Sequence, residues 1–495
     1  VAKLFRLPQL GKLAKLLWGL LLASLPVTTF RYLPSFYGTT LVRPMALLPL
    51  SLLVPLILFL AWKKRRALFP QDITPLTVFL LIALAATLIG ALYAPLEMRG
   101  HAYWERALRA WVSLGVGLTF FLAASWMSRS EEDLKHSLHW LYVGLYVTIL
   151  WGTLQIIAVH TPLLSEDFIN QVQGTFSIRG LAHGRIPGLA YEPSWLADQI
   201  VILYLPWLVA ALLSGYRLTR FKWLEPLLIL LAGGILVFSY SRSGILTAVL
   251  VTILVLLLTN RAWLPQIVAW FLSPFRGSPT PGRSNVPGRL GRLAIATLLL
   301  ASIAGAFLFL SQQRYFASLW QADIQGGLVE YLRDIFAGSR LAYAWSGIKT
   351  FAAHPWSGVG LGASGFYMFE NMPDWALTIQ SEIVQLMSPQ SMLFPNTKSL
   401  YVRLLTETGL LGFWAFLAFY FTVLAAVRHL LARAKPYLKY CGLAGLYIWL
   451  AAGVRNFTQD SLTFPIMWVS LGILLGHFTY AKLSGRESAL KTSND

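Results

Sequence analysis

Four short clusters concentrate the polar residues able to do chemistry in an otherwise apolar chain. The first is Gly184-Arg185-Ile186-Pro187-Gly188 with Tyr191-Glu192-Pro193-Ser194, and the second is Ser239-Tyr240-Ser241-Arg242-Ser243-Gly244. The third runs from Arg340 through an amphipathic stretch to His354-Pro355-Trp356-Ser357-Gly358-Val359-Gly360-Leu361-Gly362. The fourth is Pro395-Asn396-Thr397-Lys398-Ser399, followed by Tyr401, Arg403 and Glu407-Thr408-Gly409. A diphosphate carries several negative charges and needs more than one cationic donor to be held as a leaving group, and arginine offers a planar fork. Arg185, Arg242 and Arg340, each beside glycine or serine, meet that need. Taken singly, each could equally be an arginine reaching from a helix end to lipid headgroups. Glu192 precedes Pro193 at an expected helix start. It is either an acid favoured by the helix dipole or a general base whose basicity is raised at an apolar entrance.

The remaining polar residues argue against other chemistries. Cys441 is the single cysteine, so no internal disulfide or thiolate cluster can form. His136 and His139 lie one turn apart without partners at metal spacing, and no metal site is expected. No Asp-x-Asp pair of the kind that holds a divalent ion on a nucleotide-sugar occurs, which disfavours such a donor. The glycines from Gly358 to Gly365 follow no strand and precede no Lys-Ser/Thr, so they read as a turn-rich loop and not a phosphate cradle. His354 before Pro355 reads as a helix-terminating residue. Trp195, Trp356 and Tyr401 could stack on sugar rings or belong to interface belts.

The elements that must position these clusters are membrane helices. The chain has 495 residues, 56% hydrophobic and 12% charged, against roughly 25% charged in a soluble domain. Apolar stretches predict about twelve transmembrane helices: Leu13–Phe30, Leu41–Trp62, Thr74–Ala94, Ala107–Met127, Leu134–Val159, Gly188–Leu213, Leu224–Phe238, Ile245–Leu258, Ala294–Leu310, Leu400–Val427, Tyr440–Gly453 and Leu462–Tyr480. Leu13–Phe30 reads as a retained first helix and not a cleaved signal peptide. With the N-terminus inside, the inner segments hold 25 of the 40 basic residues and only 7 of the 21 acidic ones. The excess of positive charge thus marks orientation and the pull of anionic lipids, not a nucleic-acid partner. That topology puts all four polar clusters at the same, outer face.

Three regions follow. Residues 1–310 carry nine helices, including a cytoplasmic linker at 273–292 rich in Pro, Gly and Arg. Residues 311–399 form a large, partly helical periplasmic loop, in which the spacing of Leu341, Trp345, Ile348 and Ala352 predicts a helix over Ser339–Ala353. Residues 400–495 carry the last three helices and a cytoplasmic tail. The whole is an all-α polytopic membrane protein.

Taken in order, Arg185-Ile-Pro-Gly188 to Ala197, Ser241-Arg242-Ser243-Gly244, Arg340 with His354-Pro355 to Gly362, and Leu400 to Gly412 resemble the O-antigen ligase and O-antigen polymerase superfamily. The resemblance implies a GT-C-like, metal-independent glycosyltransferase without a cofactor, whose donor is a glycan on undecaprenyl diphosphate. A chain-length regulator protein is a possible partner. Ligases that look like this open the Glu-Thr-Gly helix with a His-Asn pair, whereas the positions here read Lys398-Ser399. A lysine of ordinary pKa, about 10.4, is protonated and does not accept a proton. Glu192-Pro193-Ser194 is similar to the motif of many polysaccharide polymerases. The expected activity is therefore a polymerase joining lipid-linked repeat units, with a ligase as the alternative and a lipid-linked glycan transporter or flippase as the second. Glu192, Arg242 and Arg340 are the expected catalytic residues, with Arg185, Lys398, Tyr401 and Arg403 binding substrate.

Overall fold

The computed structural model describes residues 7–492, apart from 35–41, 66, 68, 71, 182–183, 260–264, 266–267, 270–271, 273–285, 323–326, 336 and 380. It is helical almost throughout. In chain order the helices are α1 (Leu7–Ser24), α2 (Leu47–Lys63), α3 (Thr74–Gly90), α4 (Tyr103–Met127), α5 (Glu131–His160), α6 (Glu166–Gly174) and α7 (Pro193–Asp198). A π-helical segment at Gln199–Tyr204 joins α7 to α8 (Leu205–Ser214), and α9 (Leu224–Phe238) and α10 (Arg242–Thr259) follow. The rest are α11 (Val286–Gln312), α12 (Arg314–Gln321), α13 (Leu328–Asp334), α14 (Gly338–Ala353), α15 (Ser364–Met368), α16 (Asp374–Ile379), α17 (Ser381–Met387), α18 (Leu400–Leu431), α19 (Pro436–Arg455) and α20 (Pro465–Thr492). Before α4, Glu97–Met98 and His101–Ala102 form an antiparallel hairpin.

The chain divides into two compact units, one of Val1–Ala248 with Ala337–Asp495, the other of Val249–Phe336. In the second, α12 turns back on α11, with the Phe307 and Trp320 rings 6.4 Å apart. The first unit holds all seven expected site residues.

Among the described residues, seven helical stretches are long and apolar enough to cross a bilayer: α4, α5, the continuous α7–α8 run, α10, α18, α19 and Pro465–Ser484 of α20. The shorter α2, α3 and α9 are equally apolar. Four of the other five expected spans fall short for a physical reason, while the fifth, Ala294–Leu310, lies within the 27-residue α11. A 17-residue helix is about 25 Å long, short of the ~30 Å hydrocarbon core. In addition, α1 carries Lys12 and Lys15 among its 18 residues.

Local chemistry explains several helix ends. Ser130 and Asp133 form a reciprocal capping box that starts α5, and Gly215 ends α8 in the left-handed conformation. The expected Gly188–Leu213 helix begins later, at Pro193, where the ring's fixed φ suits a first helical position. The linker expected over 273–292 is helical from Val286, while 273–285 lie outside the described residues. Proline is tolerated in the first turn, and the leucines beyond it continue the apolar run.

Within the first unit, α20 lies against α4 through small residues. A Cβ on Gly472 would meet Phe121 and Ala124, and one on Gly476 would meet Ser125 and Ser128. Spaced four apart, the two glycines let the backbones approach closely, as small-residue pairs do between membrane helices. Buried Phe121, Phe419 and Trp468 fill the space between α4, α18 and α20.

Candidate functional site

Backbone-directed hydrogen bonds hold the segment leading into α7 in place. Gln155, fully buried on α5, accepts from the Gly188 amide at 2.8 Å and donates to the Gly188 carbonyl at 3.0 Å. Three residues on, the Tyr191 amide donates to Thr28 Oγ1 at 2.7 Å. Glu192 caps α7 in an extended conformation, and Ser194 Oγ donates to its Oε2 at 3.4 Å. Arg185 reaches away from this segment. Its Nε donates to the Ser239 carbonyl at 3.1 Å and its Nη2 to the Tyr240 carbonyl at 3.4 Å.

Those carbonyls belong to the turn between α9 and α10. Tyr240 has φ +48°, a strained value for a side-chain-bearing residue, and burial pushes its phenol pKa up. Ser239 Oγ accepts from the Ser241 amide and Ser241 Oγ from the Gly244 amide, so serine hydroxyls replace the amide partners a helix start lacks. Arg242 is the first residue of α10. Gly244 lies directly on Ala197, leaving no room for a Cβ between them. The first two clusters are thus joined through Arg185 and the 239–240 turn, and α10 begins against the end of α7.

A segment that was not singled out in the sequence, Gly453 to Asp460, joins the other two. Arg455, at the end of α19, forms an ion pair with Asp198, at the end of α7, both of them buried. Arg340 Nη1 donates to the Thr458 carbonyl at 2.8 Å, and Asp198 also feels the charge of Arg340. The Leu400 amide donates to the carbonyls of Asn456 and Gln459, at 2.9 and 2.7 Å. Tyr401 donates its hydroxyl to the Gly453 carbonyl at 2.9 Å, and Arg403 Nη1 donates to the Asp460 carbonyl at 2.8 Å. The Lys398 amide donates to Asp460 Oδ2 at 3.3 Å.

The expected site residues differ in what they hold. Tyr401 and Arg403 are engaged with protein groups, Arg403 also donating through Nε to Glu407 Oε2 at 3.0 Å. Lys398 Nζ stands 3.8 Å from Glu382 Oε1 and 5.3 Å above the Tyr343 ring. Tyr343 also donates to that carboxylate, at 3.1 Å, and burial followed by the nearby Glu382 charge pushes its phenol pKa up.

The glycine-rich loop of the third cluster serves the fourth. At Gly409, φ 64° and ψ −170° break α18 after its first nine residues. The amides of Val359 and Gly360 donate to the carbonyls of Thr406 and Glu407, and the Leu410 amide donates to Pro355. A Cβ on Gly358 would strike the Glu407 backbone, so glycine is required there by close approach. His354 stacks on Tyr93, ring centroids 5.1 Å apart, and Tyr93 donates to the Gly358 carbonyl. Among the described residues no three His, Cys, Asp or Glu are grouped to hold a metal ion.

Sequence reasoning passed over Asp198, Arg455 and Asp460. A signal was present, because an aspartate and an arginine each interrupt a strongly apolar helix, and intramembrane charges of opposite sign are expected to pair. A cavity of about 890 Å³ lies on the other side of α7, lined by Trp195, Gln199, Arg109 and Asp460 among mostly apolar neighbours. Residues 227–417 match a protein-family model described as O-Antigen ligase. No curated protein matches the chain.

Proposed function

We propose that this chain, through residues 227–417 a member of the O-antigen ligase and polymerase superfamily, is a GT-C-like polymerase of a cell-surface polysaccharide in the bacterial inner membrane. It would transfer a glycan from undecaprenyl diphosphate to a sugar hydroxyl of a lipid-linked repeat unit at the periplasmic face. The observation carrying this reading is that Arg185 and Arg340 donate to backbone carbonyls of the 239–240 turn and of Thr458, the first leading into α10 with Arg242 at its start, the second next to Arg455, which pairs with Asp198 of α7.

In this mechanism the acceptor hydroxyl oxygen attacks the anomeric carbon of the donor sugar, its proton passes to Glu192, and the bond from that carbon to the diphosphate breaks. Arg242 and Arg340 neutralise the charge that builds on the departing diphosphate. Preorganised cations in a water-poor site supply most of the rate of such a step, without covalent catalysis or a metal. Arg185 spends two donors on the 239–240 turn and so orients Arg242 besides meeting the phosphates. Lys398 exchanges Glu382 for the leaving group. Tyr401 and Arg403 support the 453–460 segment on which Arg340 rests.

Ligase activity is the second reading, favoured by the description of the matched family. Purified protein incubated with a synthetic undecaprenyl-diphosphate oligosaccharide, with products resolved by mass, separates the two. A ladder of lipid-linked oligomers supports polymerase, and a single transfer to an added lipid or protein acceptor supports ligase. Flux across proteoliposomes with no elongation would replace both by transport.

A further inference from the structure

The two sides of α7 face different surroundings. Ala197 and Asp198 meet α10 and Arg455. Trp195, and Gln199 at the start of the π-helical segment, line the cavity of about 890 Å³. That volume falls in the range of small-molecule sites, roughly 300–1,000 Å³. Its walls come from residues just after α1 and leading into α2, from residues 108–116 within α4, and from residues 460–466 leading into α20. Leu108 and Val112, on the α4 wall, are 65% and 55% exposed, so an apolar chain can enter along that helix.

Two side chains in these walls, Gln199 and Asp460, offer acceptors. Gln199 is buried, and its Nε2 donates to the Pro26 carbonyl at 3.0 Å. Its Oε1 has no hydrogen-bond partner among the described residues. A buried acceptor left unmatched is unfavourable, so an occupant should bring a donor to it. Asp460 adds a carboxylate and Trp195 a flat aromatic surface. Arg109, paired with Glu105 at 2.5 Å, is the one cation in the walls among the described residues, and a single cation is too few to hold a diphosphate.

We infer that this cavity is a second, glycolipid-binding site, in which a sugar stacks on Trp195 and donates hydroxyls to Gln199 Oε1 and Asp460 while its hydrocarbon chain lies along Leu108 and Val112. Glu192, the N-cap of α7, precedes Trp195 by three residues. The further assignment of the cavity to the acceptor rests on the transfer reading above, whereas glycolipid binding itself does not.

The test is photolabelling of the full-length protein in phospholipid nanodiscs with a dodecyl glycoside carrying a diazirine in its alkyl chain. Labelling of peptides containing 108–116 and 460–466, competed by the same glycoside without diazirine, is the expected result. Val112→Trp, at an exposed position, should abolish it, and Gln199→Leu should weaken apparent affinity about tenfold, the loss of one hydrogen bond. Unchanged labelling by a diazirine phospholipid elsewhere on both variants checks that they remain folded. Equal labelling of the two peptides by the phospholipid, no labelling by the glycoside, or labelling indifferent to Val112→Trp would each overturn the inference. Labelling that persists in Arg242→Ala keeps the site distinct from the arginine cluster. Labelling without any glycan transfer by the unaltered protein would refute the acceptor role and leave the glycolipid site standing.

Discussion

At the scale of the residue, charge is spent in two ways. In the proposed mechanism Arg242 and Arg340 meet the departing diphosphate, whereas Arg455 and Asp198 neutralise each other inside the bundle. Arg242→Ala or Arg340→Ala should lower chain growth about 10²- to 10³-fold, the usual cost of removing one charge-stabilising donor, with thermal unfolding unchanged. Polymer of normal length from either variant would take that arginine out of the mechanism. The buried pair should respond in the opposite manner. Asp198→Ala strands the Arg455 guanidinium and is expected to destabilise the protein by about 3–5 kcal/mol, whereas a double substitution to apolar residues of similar size should recover most of that loss. Denaturation of the three variants in the same detergent measures the difference.

At the scale of the element, the first turns of α18 depend on a loop distant in sequence. The break at Gly409 frees carbonyls that the 355–360 loop then engages. Gly409→Ala would force a Cβ onto the Trp356 backbone at φ 64°, and a stability loss of about 1–3 kcal/mol is expected from the backbone conformation alone. Limited proteolysis should then cut within 355–362 more rapidly than in the unaltered chain. Helix existence was legible in the residues. The expected Leu224–Phe238 helix coincides with α9, and the amphipathic Ser339–Ala353 stretch with α14 to within one residue. Such features follow from hydropathy and spacing within one turn or two. The break at Gly409 was not legible, because a Glu-Thr-Gly run inside an apolar helix has no local reason to open. Its partner lies some fifty residues earlier.

At the scale of the whole molecule, orientation is the expectation most open to direct measurement. Cys441 is the only cysteine and is buried, so introduced cysteines can be read one at a time. Lys222→Cys, between α8 and α9, should react with a membrane-impermeant maleimide only after lysis, and Gln390→Cys, after α17, should react in intact spheroplasts. The reverse pattern would overturn the topology read from the basic residues.

The residues by themselves determined that the chain is built of apolar helices and that its arginines and glutamate cluster at helix starts, since both are statements about neighbours along the chain. They also carried the superfamily resemblance, later matched over residues 227–417. Only the tertiary structure decided that Asp198 meets Arg455 across 257 positions, that Arg340 rests on Thr458, and that Trp195 and Gln199 line a cavity. Pairings of this kind are set by how whole helices pack, and no single segment contains the information for them.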